Sequence, residues 1–74
     1  MKDEDIIEIL KKENEHFKKI YLEHRELDSQ LAELDKKHYL STDEEMERKK
    51  MQKEKLQKKD KMAEFVRDYK KQHP

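Results

Sequence analysis

Cysteine, glycine and tryptophan are absent from the 74 residues, and the single proline is Pro74. Without cysteine there can be no disulfide and no thiolate metal site, and nothing signals an oxidising compartment. Without glycine or an internal proline, a compact fold with many tight turns is disfavoured, and long helices are what such a chain builds. Hydrophobic residues are only 31% of the chain against 51% charged, so little core is available. The opening stretch MKDEDIIEILKK is charged around a broken apolar run, unlike a signal peptide or a membrane span. A cytoplasmic location with no membrane association is the expectation.

What is present is a heptad. Between Leu10 and Leu34, one seam position holds Leu10, Phe17, His24 and Leu31, and the other holds Ile20, Leu27 and Leu34. Ile6 continues the second seam towards the N-terminus, and Glu13 interrupts it. Alternating steps of three and four mark a helix packed lengthwise on other helices. Ile7, Ile9 and Tyr21 widen the stripe beyond a strict two-stranded seam, as suits a bundle. The pattern predicts one helix over about 4–38, started by Asp3 or Asp5 as a cap. A loop follows at about 39–42, where Ser41 or Thr42, with Glu44 or Glu45 three residues on, forms a capping box. A second helix then covers about 43–71, with an apolar stripe of Met51, Met62, Phe65, Val66 and Tyr69 and with Leu56 and Ala63 at its edge.

A connection this short makes the two helices antiparallel neighbours. The expected fold is all-α, a single domain over 1–74, built as an antiparallel two-helix hairpin. Folding about residue 41 pairs Leu31 with Met51, Ile20 with Met62 and Phe17 with Phe65. The same register sets His24 level with Lys58 and Leu27 level with Lys55, whose stems can lie on the apolar surface. So small a chain with so narrow a stripe is expected to need a second copy. A homodimeric four-helix bundle, or coiled-coil-like dimer, is therefore predicted, with self-association through the seam from Ile6 to Tyr69.

The run ENEHFKKIYLEHRELDSQLAELD, then STDEEME, then MQKEKLQKKDKM, resembles the small bacterial YdcH-like family. The resemblance rests on Asn14, His16 and Phe17, the Glu26-Leu27-Asp28 step and the Lys59-Asp60 pair, and it spans roughly residues 10–66. It implies a helical hairpin of unknown function and no catalytic residue. One departure stands out: Lys58 occupies a position where the family leads one to expect leucine, which loosens the expected mid-hairpin packing.

Charge is balanced overall but unevenly placed. Residues 1–40 hold eight basic and eleven acidic side chains, and residues 41–74 hold the reverse. The concentrated part is 48–61, where Arg48, Lys49, Lys50, Lys53, Lys55, Lys58, Lys59 and Lys61 face only Glu54 and Asp60. Such a run is either a strip for an anionic partner or a solvated helix face neutralised by the acidic helix beside it. No aromatic interleaves it and only one of its cations is arginine, which argues against base stacking and base reading.

Glu13 and His16 form an E-x-x-H pair, a spacing used twice over in di-iron bundles. No inward carboxylate stands at the matching level except Asp68 nearby, and Glu13 is better expected beside Lys70 or Tyr69. No metal and no cofactor is expected. His24 on the seam is a candidate for titration near neutral pH; a half-exposed histidine facing lysines is the plainer expectation. No nucleophile with a base, no phosphate loop and no oxyanion site is recognisable. The reading is a non-enzymatic helical interaction or scaffold module, with no small-molecule substrate. The alternative is a nucleic-acid-associated protein using the 48–61 run.

Overall fold

The computed structural model describes residues 2–73. Three helices follow one another: α1 (Asp3–Glu13), α2 (Glu15–Asp35) and α3 (Thr42–Gln72). The single first helix expected over 4–38 is therefore two, broken at Asn14. That residue is extended, with φ −122° and ψ 105°, and its side-chain Oδ1 accepts a hydrogen bond from the Phe17 amide at 3.0 Å. A short polar side chain that satisfies an orphan amide of the next turn is what an N-cap requires. Asn14 ends α1 and starts α2 with one side chain.

Packing explains why the break is favoured. α2 and α3 run antiparallel, as the ion pairs Asp35–Arg48, Asp28–Lys55 and Glu23–Lys58 show by their descending and ascending numbers. In that register a straight continuation of α2 would carry Ile6 and Ile7 beyond Gln72, where α3 ends. The turn at Asn14 instead lays α1 back on the hairpin, so that Asp3 forms an ion pair with Lys70. Ile6 and Leu10 are then buried in one cluster with Phe17 and Val66, and Ile7, Tyr21, Met62, Phe65 and Tyr69 pack around it. Burial of two large aliphatic side chains, at about 1.5–3 kcal/mol each, outweighs the few helical hydrogen bonds given up.

The start of α1 also differs from expectation. Lys2 is the cap residue and its side chain makes no capping bond, while Asp3, Glu4 and Asp5 fill the first turn, where the helix dipole favours acids. α2 ends at Asp35, three residues before the expected limit. The connection through Tyr39 is exposed and needs no left-handed residue, since no described residue has positive φ. This is how the chain makes its reversal without glycine. α3 opens with the capping box as expected: Ser41 Oγ accepts from the Glu44 amide and the Glu44 carboxylate accepts from the Ser41 amide, both at 3.2 Å. Lys37 ties its ammonium to the same Glu44 carboxylate and closes the loop.

Candidate functional site

The seam residues are for the most part used up within one chain. Ile6, Leu10, Phe17, Ile20, Leu31, Met51 and Val66 are buried, and Leu27, Leu34, Met62, Phe65 and Tyr69 are half-buried. Phe17 is wholly inaccessible. It meets Phe65 edge to face with centroids 5.7 Å apart and stacks beside Tyr21 at 6.5 Å. The expected pairing of Phe17 with Phe65 is thus present in detail.

In the middle of the hairpin the two lysines reach acids that flank, one on each side, the levels expected from a fold about residue 41. Lys58 reaches Glu23 at 2.9 Å, and Lys55 reaches Asp28 at 2.5 Å. The two lysines pair with the acids adjacent to His24 and Leu27. Both acids are held below their usual carboxylate range by the hydrogen bond from the lysine ammonium, which is the larger cause in each case. The acids Glu23, Asp28 and Asp35 are spaced by five and seven residues along α2, and Lys58, Lys55 and Arg48 by three and seven along α3 in reverse. Acids on one helix met by cations on the other at nearly matching intervals are the sequence signal for this ladder.

The basic run 48–61 consequently divides. Arg48, Lys55 and Lys58 are paired with α2, and Lys61 pairs with Glu64 of its own helix at 3.5 Å. Lys49, Lys50, Lys53 and Lys59 are exposed. At 100° per residue Lys49, Lys50 and Lys53 share a sector about 100° wide, whereas Lys59 lies about 120° from Lys53, and the eight cations of the run taken together point all round α3. The run wraps the helix and does not form one continuous strip.

The Glu13–His16 pair does not share a helix, since Asn14 separates them, and both side chains are exposed. Among the described residues Glu13 forms no ion pair with Lys70, which pairs with Asp3. His16 instead has its ring 5.8 Å from that of Phe65. Among the described residues, no three His, Asp or Glu side chains converge as a metal set would.

The concave surface of most interest lies where α1, α2 and α3 meet. Its floor is apolar, formed by Ile7, Tyr21, Met62, Ala63 and Val66. Its α3 edge is cationic, with Lys55, Lys59, Arg67 and Lys70. Two of those cations are already engaged, Lys55 by Asp28 and Lys70 by Asp3. Lys59 and Arg67 are exposed and form no ion pair within the described chain. His24 also lines the groove, and its Nε2 is buried with no hydrogen-bond partner among the described residues. Burial pushes its pKa down, and Lys55 and Lys59 push the same way against Asp28. The neutral imidazole is the form this site favours. Leu56 is 58% exposed on the same helix, where a core residue would be covered.

The groove was only partly readable in advance. Its floor belongs to the recognised stripe, but Ile7 and Asp3 come to it through the fold-back of α1, and Arg67 lies outside the basic run that composition singles out. No helix is long and apolar enough to cross a membrane. No curated protein and no solved structure matches the chain. The profile of one family, described as Protein of unknown function (DUF465), matches residues 17–65. Those residues hold α2 from Phe17, the connection, and α3 to Phe65, which is also most of the stretch resembling YdcH-like proteins. With the matched segment covering well over half of its length, the chain belongs to the DUF465 family.

Proposed function

We propose that this chain is a small, non-enzymatic interaction module that binds another polypeptide through the groove between α1, α2 and α3. The observation that carries this reading is an open apolar floor where three helices meet, beside two unengaged cations, whereas the exposed Leu22, Tyr39, Met46 and Leu56 lie elsewhere on the surface. Exposed apolar surface bordered by polar groups is the ordinary mark of a protein contact.

The test is photo-crosslinking of the full chain in cells. Benzoylphenylalanine placed at the exposed Ala63 should give a discrete adduct, and the same group placed at Lys50, away from the groove, should not. An adduct of two-chain mass identifies self-association, and any other discrete mass identifies a foreign partner. No adduct at Ala63, or equal adducts at both positions, sinks the reading.

A further inference from the structure

We infer that the occupant of this groove is an acidic amphipathic helix of another protein, its apolar face on Met62, Ala63 and Val66 and its carboxylates against Lys59 and Arg67. The inference rests on the groove being a binding surface, as proposed above, and adds the chemistry of the partner.

Charge complementarity selects this occupant. Asp3 and Asp28, the two acids of the groove, are each consumed by a lysine of the same rim. What remains unneutralised is cationic. Lys59 and Arg67 lie eight residues apart on α3, so their heads are separated by about 12 Å along the helix, roughly two turns. A helix lying alongside α3 presents side chains at the same interval, so that acids seven or eight residues apart can meet both cations while the residues between face the floor. Arginine adds a two-pronged carboxylate contact that lysine does not.

A second copy is a poorer occupant. Pairing by the same face about a two-fold axis would bring Lys59 and Arg67 against a partner surface equally cationic. Docking of the acidic outer face of α2 would offer Glu15, Glu26 and Glu33 but only one exposed large apolar residue, Leu22. One leucine does not fill a floor made by three helices. A basic amphipathic helix, or a nucleic acid, is opposed by the same two cations or leaves the apolar floor uncovered.

The probe is a synthetic helical peptide of about 18 residues, long enough to span the groove, with leucines at steps of three and four and glutamates elsewhere. A second peptide carries lysine in place of every glutamate. Both are titrated into the isotopically labelled full chain and followed by amide NMR shifts and calorimetry. The glutamate peptide should shift the amides of Tyr21, His24, Met62, Ala63 and Val66, and the lysine peptide should not. In the double variant Lys59→Glu/Arg67→Glu, affinity for the glutamate peptide should fall roughly tenfold or more while the amide spectrum stays folded. The milder Lys59→Gln/Arg67→Gln pair should show a smaller loss in the same direction. Equal binding of both peptides, indifference to these substitutions, or shifts confined to other faces would overturn the inference. So would groove shifts that grow with protein concentration alone, together with a two-chain mass in sedimentation. If an adduct forms at Ala63 but the glutamate peptide does not bind, the interaction module stands and the acidic partner falls. If both fail, both fall.

Discussion

Phe17 and Phe65 cross at 81° with centroids 5.7 Å apart, and this contact joins α2 to α3 at the point where α1 packs on them. Phe17 sits in the first turn of α2, one residue triplet from the Asn14 cap, and closes over Ile6 and Leu10 of α1 and Val66 of α3. Its ring is the element through which the break at Asn14, the register of the hairpin and the position of the groove are coupled. Phe17→Ala should therefore cost about 3–5 kcal/mol, the usual range for removing a buried ring. In a chain this small that is a large share of total stability. Urea unfolding followed by circular dichroism reads it, and a cost below about 1 kcal/mol would mean the cluster is not packed as described.

Asn14→Ala gives a test by sign. Alanine removes the cap but is the better helix former, so a chain that gained nothing from the break would be stabilised by it. The fold-back of α1 requires the opposite: a loss of about 0.5–2 kcal/mol, with the Ile6 and Leu10 methyl signals shifting towards exposed values. Unchanged or higher stability would remove the argument for three helices.

Ser41→Ala should lower stability by about 1 kcal/mol through loss of the Glu44 amide partner. Glu44→Gln keeps the reciprocal bond but loses the ion pair with Lys37, so its effect should be smaller. Thermal unfolding of the two variants side by side checks the order.

Stability should depend on pH in two separate windows. His24 has its pKa lowered on folding from a usual value of 6.5, by burial first and by Lys55 next. The unfolded chain then binds the proton more readily, so its contribution is complete above about 6.5 and declines as pH falls through that value. Asp28, Glu23 and Glu44 are lowered from usual values of 3.8 and 4.5, each chiefly by a hydrogen bond from a lysine. Their contribution is present above those values and is lost as pH falls further. Urea midpoints measured from pH 8 to pH 3 should show the first decline, and His24→Leu should abolish it while leaving the second. Persistence of the first decline in His24→Leu would show that another group causes it.

Much of this protein was determined by sequence alone. The lack of glycine and internal proline left helices as the only economical structure, and the heptad of Phe17, Ile20 and Leu31 set the face that packs. Ser41 and Glu44 fixed where α3 begins, because a capping box acts through bonds three residues apart. These are local or periodic effects, and a linear reading captures them. Self-pairing through the seam was expected of a small chain with a narrow stripe; within one chain, most of that seam is buried or half-buried. The turn at Asn14 contributes to this, and its benefit comes from burying Ile6 and Leu10 against Val66, nearly sixty positions away. Helix periodicity runs through Asn14, and the signal for the break was local: asparagine is a preferred N-cap and a weak interior helix residue, and it follows Glu13, which interrupts the seam. The ladder of Glu23, Asp28 and Asp35 with α3 depended likewise on a register known only to within a residue. The groove follows from both. Only the folded arrangement could set Ile7 and His24 beside Arg67, because nothing local to any of them records the other two.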